Sequence, residues 1–226
     1  MNFKISNIPE RTKKERSRGL TMMMDKGLSL QEAENFAASS SEYTDLVKFG
    51  FGTALITRDL KQKVDFYRSA GLIPYFGGTL FEMFYARNSF DAYRAFVAES
   101  GLDTVEVSDG SIRMSHEEKL ECIQVLAKDF KVLSEVGTKV KGLEIPNDVW
   151  VANMKTELQE GAWKVIAEAR ESGTIGIYNA DGSANKELIE DIMKEISVDD
   201  VLWEAPNKAQ QVMFSKLIGA NVNLGN

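Results

Sequence analysis

Short apolar runs alternate with longer amphipathic stretches along this chain, and several of the runs carry a polar residue near their end. They read Val105-Glu106-Val107-Ser108, Val132-Leu133-Ser134-Glu135, Val165-Ile166-Ala167-Glu168-Ala169-Arg170, Val201-Leu202-Trp203-Glu204 and Val222-Asn223-Leu224-Gly225. The four glutamates follow one another at intervals of 29, 33 and 36 residues, one strand-loop-helix-loop unit each time. Side chains of a strand alternate between two faces. With Glu106, Glu135, Glu168 and Glu204 on one face, Val105, Val107, Val132, Val165, Ala167, Trp203 and Ala205 share the other. The apolar face is expected under helices and the acidic face in a common interior.

The same period continues upstream. Leu20–Asp25, Leu46–Gly50 and Pro74–Gly78 read as strands 1 to 3, with Asp25 ending the first and Lys48 inward in the second. Helical spacing is expected over 29–40, 59–70, 88–100, 116–129, 147–160, 185–196 and 207–218, as in Leu120, Ile123, Val125, Leu126 and Phe130. Short strands alternating with helices imply right-handed crossovers and a parallel sheet. Eight strands favour closure, so the fold class is α/β, a (β/α)8 TIM barrel running through residues 1–226 as one domain. No linker or low-complexity tract divides the chain. The sequence stops at Asn223-Leu224-Gly225-Asn226, so the eighth helix is missing. Val222, Leu224, Met22 and Met24 are then expected uncovered on the flank between strands 8 and 1, which predicts a homo-oligomer or a longer native chain whose tail covers the flank.

Composition adds limits. The chain has 226 residues, 43% apolar and 27% charged, enough for a sizeable core. A net charge of −7 argues against a nucleic-acid surface. No apolar run is long enough to span a membrane and the N-terminus lacks a signal-peptide pattern, so a cytoplasmic protein is expected. The single cysteine, Cys122, is read as a packing residue. The single histidine, His116, falls in Ser115-His116-Glu117-Glu118, a capping box. Proton transfer therefore falls to Lys, Glu, Asp or Tyr.

In barrels of this kind functional residues sit at the C-terminal strand ends. Parity puts Asp25, Lys48, Gly78, Glu106, Ser108, Glu135, Glu168, Arg170, Glu204 and Asn223 there. Several carboxylates in a partly dry space need cations. Lys48, Lys139 and Arg170 supply some, and a divalent metal would supply the rest. Oxygen ligands without His or Cys suit Mg²⁺ or Mn²⁺; a ring of internal salt bridges without metal is the alternative. Glycine-rich strand ends, including Gly77-Gly78-Thr79, Ser172-Gly173-Thr174 and Leu224-Gly225-Asn226, could cradle an oxyanion through N–H groups. With Lys48 and Arg170 inward they suggest a phosphorylated or doubly anionic ligand. Lys13, Lys14, Arg16 and Arg18 could contribute from the N-terminal segment, or form a solvated tail.

The blocks Arg18-Gly19-Leu20-Thr21, Val47–Thr53, Gly77–Glu82, Val107–Gly110, Ser134–Lys139, Glu168–Thr174, Glu204–Gln211 and Asn221–Asn226 stand in order at strand ends. Together they resemble the phosphosulfolactate synthase family over nearly the whole chain. Phe51, Ala54 and Glu15 depart from the family pattern, which usually has Trp, Ser and Pro there, and a C-terminal extension is absent. The resemblance implies a Mg²⁺-dependent barrel that adds sulfite to phosphoenolpyruvate, giving (2R)-2-O-phospho-3-sulfolactate. In methanogens that step opens coenzyme M synthesis, and bacterial relatives use it for other sulfonates. On this reading Glu135 and Glu168, with Glu106 and Glu204, are the candidate metal ligands. Lys139 is the first candidate general acid and Lys48 the second. Arg170, Arg18, Gly78, Ser172, Gly173, Asn223 and Gly225 would hold phosphate and sulfite. Two other readings keep the barrel: a different Mg²⁺-dependent enolate-type reaction, and a non-catalytic stress or interaction protein, which would lack the polar interior.

Overall fold

A computed structural model describes residues 5–138 and 145–226. Eight parallel strands close into a barrel in sequence order: β1 (Thr21–Asp25), β2 (Leu46–Phe49), β3 (Ile73–Phe76), β4 (Thr104–Val107), β5 (Lys131–Val136), β6 (Ala162–Ala167), β7 (Val201–Glu204) and β8 (Leu224–Gly225). β8 closes on β1 through Thr21 opposite Leu224 and Met22 opposite Gly225. The helices are α1 (Leu30–Ser40), α2 (Leu60–Ser69), α3 (Gly78–Tyr85), α4 (Phe90–Glu99), α5 (His116–Leu126), α6 (Asn147–Gln159), α7 (Lys186–Glu195) and α8 (Lys208–Leu217). None of them is long and apolar enough to cross a membrane. α3 and α4 both lie in the β3–β4 connection, and among the described residues no helix follows β8. The sequence pattern predicts a single helix there, over 88–100. The extra one, α3, buries Leu80 and Phe81 and lays Phe84 and Tyr85 on the core.

Strand alternation sorts the side chains into two layers. Val47, Phe49, Phe76, Val105, Val107 and Val132 pack outward under helices, and Val165, Ala167, Val201, Trp203 and Ala205 do so on the other half. Leu20, Met22, Leu46, Tyr75, Leu133, Ile166 and Leu202 fill the barrel interior as a separate apolar cluster. An inner core this well filled leaves polar inward positions only at the two ends. Ser115 and Glu118 form the expected capping box at α5, and Cys122 is buried without a disulfide.

The expected placement in β1 is inverted. Met24 lies in register with Lys48 and Tyr75, all facing inward, whereas Asp25 lies with Phe49 and Phe76, facing the helices. Asp25 is fully buried against α2, 2.6 Å from Lys63 Nζ and 2.8 Å from Tyr67 Oη. A one-residue shift in parity exchanges the two faces, so Met22 and Met24 are interior rather than exposed. Val222 is buried in the outer layer and Leu224 is half-buried against it. The uncovered flank that motivated a homo-oligomer is not present at these four side chains.

The basic N-terminal residues sit at the opposite end from the C-terminal strand tips. Arg16 is 3.0 Å from Asp45, just before β2, and both are buried. Arg18 lies 3.7 Å from Asp199, before β7, and Lys14 donates to the Ser41 carbonyl after α1. Asn223 belongs to the same end: it accepts from Leu20 N–H at 2.9 Å and donates to the Asp199 and Val201 carbonyls. Its amide clips β7 to β1.

Candidate active site

At the C-terminal strand ends the inward positions turn from apolar to charged. Lys48 Nζ stands among three carboxylates, 2.9 Å from Glu106 Oε1, 3.2 Å from Glu135 Oε2 and 3.3 Å from Glu204 Oε1. Burial alone would lower the lysine pKa, but attraction from Glu106, Glu135 and Glu204 outweighs it and holds the pKa well above its ordinary value. Lys48 is therefore a fixed cation, a poor proton donor for turnover. Burial pushes Glu106 up to about 7, partly offset by Lys48 and reinforced by Glu135.

Each glutamate has further commitments. Glu106 Oε1 accepts from the Gly78 N–H at 2.5 Å, at the first turn of α3. Glu204 Oε2 accepts from the Ala169 N–H at 2.9 Å. Ser108 Oγ lies 2.9 Å from Glu135 Oε1 and 2.6 Å from Glu82 Oε1, and Glu82 also accepts from Ser111 N–H. Tyr75, in register with Lys48 on the neighbouring strand, has a buried hydroxyl whose pKa is raised well above the ordinary value by burial, then by Glu106.

These groups line a cavity of about 450 Å³, with Lys48, Gly78, Glu106, Glu135, Glu168 and Glu204 in its walls and Lys26, Arg170, Glu171 and Ser172 also lining it. Gly50, Phe51, Gly77, Thr79 and Asn226 complete much of the rest. A hollow between α6 and α7 is larger, about 550 Å³, but its lining is helix-surface residues such as Lys155 and Glu195 and includes no strand-end group.

Glu135, Glu168 and Glu204 each offer an oxygen within 4.8 Å of the others, and all three are buried. Their donor set, all carboxylate and without His or Cys, fits a hard divalent cation such as Mg²⁺. Glu106, expected as a fourth ligand, is not in this trio; its Oε1 meets Gly78 and Lys48, while its Oε2 is buried without a hydrogen-bond partner.

The remaining expected residues divide. Gly78 lies in the cavity wall because only glycine fits: a Cβ there would stand 2.4 Å from Ser108 Cβ and 2.8 Å from Glu106 Oε1. Gly78→Ala should cost roughly 1–3 kcal/mol by overpacking. It should also lower turnover on the order of 10²-fold by displacing Glu106 and Ser108. Thermal melts and steady-state rates measure the two; normal turnover would show that this approach does not matter. Arg170 and Ser172 line the mouth, but Gly173 is buried against Asn207 and Gln210 and its N–H is spent on the Arg170 carbonyl. Gly225 is not in the lining; it pairs with Glu204 and Met22 in the sheet and leaves room for the Met22 side chain. Arg18 and Asn223 are at the far end of the barrel, as described above. Lys139 lies outside the described residues. Sequence reasoning missed Glu82 and Lys26. Glu82 sits on the unpredicted α3, four residues after Gly78, and Lys26 directly follows an aspartate read as inward.

A family model described as (2R)-phospho-3-sulfolactate synthase (ComA) matches residues 9–226. The phosphosulfolactate synthase of Bacillus subtilis strain 168 is 37% identical over 229 residues, covering 100% of this chain and 91% of the relative. That of Methanothermobacter thermautotrophicus is 39% identical over 224 residues, covering 96% of this chain and 87% of the relative. That of Methanocaldococcus jannaschii is 40% identical over 216 residues, covering 92% and 86%. Among solved structures, the YdjI aldolase from Escherichia coli K12 superposes with a TM-score of 0.61 at 13% identity, covering 93% of this chain and 75% of that one. The 3-hexulose-6-phosphate synthase from Salmonella typhimurium gives 0.57 at 16% identity, covering 91% and 88%. These two likenesses speak to the barrel alone. The match over residues 9–226, with relatives of 37–40% identity along almost the whole chain, shows that this protein belongs to the phosphosulfolactate synthase family of lyase-type enzymes.

Proposed function

We propose that this enzyme adds sulfite to phosphoenolpyruvate, with Mg²⁺, to give (2R)-2-O-phospho-3-sulfolactate, as an early step of sulfonate synthesis in the cytoplasm. The observation that supports it most is the buried trio Glu135, Glu168 and Glu204 beside Lys48, at the strand ends of a chain of this family. Sulfite sulfur forms a bond to C3, the C2–C3 π electrons move toward the carboxylate, and a proton adds to C2. Mg²⁺ held by Glu135, Glu168 and Glu204 would supply Lewis-acid stabilisation of the charge that develops on the substrate carboxylate.

The chain's own groups do the rest. Lys48 adds fixed positive charge beneath the reacting end and holds Glu135 and Glu204 in place. Ser108 fixes the other oxygen of Glu135. Arg170 stands at the exposed mouth, where anionic substrates enter. Because Lys48 is locked among carboxylates, the proton for C2 is assigned to Lys139, which follows β5 in sequence.

Incubation with phosphoenolpyruvate, sulfite and Mg²⁺ should give a product of sulfolactate-phosphate mass. Excess chelator should abolish it. Turnover of phosphoenolpyruvate without sulfite would favour a different enolate-type reaction, and full turnover in chelator would sink the metal-assisted reading.

A further inference from the structure

The cavity mouth is crossed by an ion pair that the reaction scheme above does not use. Lys26, on the loop after β1, pairs through Nζ with Glu171 Oε1, on the loop after β6. In the barrel β7 and β8 lie between these two strands, so the pair spans the opening rather than joining neighbours. Both residues line the cavity. The Lys26 ammonium also lies 5.8 Å from the centre of the Phe51 ring, which comes from the loop after β2.

Lys26 is held there by its loop. The buried Asp25 carboxylate accepts from Gly27 N–H at 2.9 Å and Leu28 N–H at 2.8 Å. Its second oxygen takes Tyr67 Oη at 2.8 Å and Lys63 Nζ at 2.6 Å, and Lys63 also donates to the Leu28 carbonyl. The backbone is thus tied on both sides of Lys26, while its side chain remains 44% exposed and that of Glu171 60% exposed. An ion pair so exposed contributes little to stability and is readily exchanged for a stronger anion.

Charge indicates which anion. Among the described residues, the cations lining the cavity are Lys26, Lys48 and Arg170. Lys48 is committed to three carboxylates deep in the cavity, beside the Glu135, Glu168 and Glu204 oxygens assigned to the metal. A phosphate dianion is therefore attracted to the mouth, where Lys26 and Arg170 stand. We propose that Lys26 binds the phosphate of the phosphorylated substrate, leaving Glu171 to do so, and that Glu171 acts as the competing carboxylate that holds Lys26 when the site is empty. This assignment rests on the reading that the substrate carries a phosphate.

Opposite signs for the two partners form the test. Inorganic phosphate is titrated calorimetrically into the full-length chain and its variants. Lys26→Met should weaken phosphate at least tenfold with little change in melting temperature, and Lys26→Arg should retain most of the affinity. Glu171→Gln should tighten phosphate about threefold or more, because the lysine no longer has to leave a carboxylate. Phosphate affinity within twofold of wild type in Lys26→Met, or equal weakening in both Lys26→Met and Glu171→Gln, would overturn the assignment. So would loss of sulfite binding with phosphate binding intact. The product assay separates this from the functional reading. Absence of sulfonate product alongside the opposite-sign phosphate pattern refutes the reaction and leaves Lys26 as a phosphate ligand. Normal product with unchanged phosphate affinity in Lys26→Met refutes Lys26 alone.

Discussion

Lys48→Met should abolish turnover and destabilise the fold by about 3–5 kcal/mol at neutral pH, the cost of removing one partner from a buried ionic cluster. The side chain it replaces is 7% exposed and serves Glu106, Glu135 and Glu204 together. Methionine matches the lysine stem, so the loss would reflect charge more than volume. The pH dependence fixes the cause. Glu106 already has its folded-state pKa raised to about 7 by burial. A carboxylate with a raised folded pKa gives its full stability below the unfolded value and loses it as pH rises through the folded one. In wild type this group therefore costs stability between about pH 4.5 and 7. Without Lys48, Glu106 should rise further, so the gap between variant and wild type should widen from about pH 4.5 upward. Urea unfolding at pH 5 and pH 8 in chelator measures it. Excess Mg²⁺ should then narrow the gap by binding the folded state. A difference under about 1 kcal/mol at pH 8 would mean the carboxylates do not depend on Lys48. Lys48→Arg should not rescue, because the lysine stem is packed closely on Gly77: a Cβ at Gly77 would stand 2.9 Å from Lys48 Cε.

The acidic interior was legible in the sequence for a simple reason. Glu106, Glu135 and Glu204 stand two residues beyond an inward Thr104, Leu133 or Leu202, and Glu168 two beyond Ile166, so period-two alternation carries each to the same side. Lys48 follows Leu46 in the same way. Alternation fails where both faces are apolar. The run Met22-Met23-Met24 offers no polar residue to fix parity, and Asp25, taken as the marker, bonds Lys63 and Tyr67 on α2. Inversion at β1 then hid Lys26, whose importance comes from the loop geometry that Asp25 imposes.

Ends were harder to read than faces. Asn223 is inward-facing by parity but lies where β7 and β1 begin, and its amide satisfies backbone groups there. Strands of two to six residues leave little in the sequence to separate one end from the other. Arg18 was misplaced for a similar reason, its partner Asp199 lying before β7. The Gly77-Gly78 pair suggested an open turn. It is instead the entry to α3, where Glu106 takes the first N–H and Glu82 returns to Ser108. The spacing of Leu80, Phe81, Phe84 and Tyr85 carried that helix signal, but the two glycines masked its start.

Behind β5 a second buried ionic cluster supports the first, and its disruption should also cost about 3–5 kcal/mol. Lys119 on α5 donates to the Glu135 carbonyl at 2.6 Å and lies 3.0 Å from Asp109 and 2.9 Å from Glu157 on α6. The side chains of Lys119 and Glu157 are 2% and 1% exposed. Burial would raise the Glu157 pKa, but Lys119, helped by His116, whose Nε2 lies 3.4 Å from Glu157 Oε1, and by Ser134, holds it below the ordinary value. A depressed carboxylate pKa gives stability above the unfolded value that is lost as pH falls through the folded one. Lys119→Met removes the main cation, so Glu157 becomes an uncompensated buried charge and its pKa should rise. The deficit should be largest near neutral pH and shrink below about pH 4.5, where the carboxyl is neutral in both states. Lys119→Met with Glu157→Met should recover much of the loss, because an apolar pair replaces a broken ionic one. Urea unfolding of the single and double variants decides the matter. If the double variant is no more stable than the single, the deficit comes from the lost bond to the Glu135 carbonyl. Lys119 would then act mainly by holding the backbone of a candidate metal ligand.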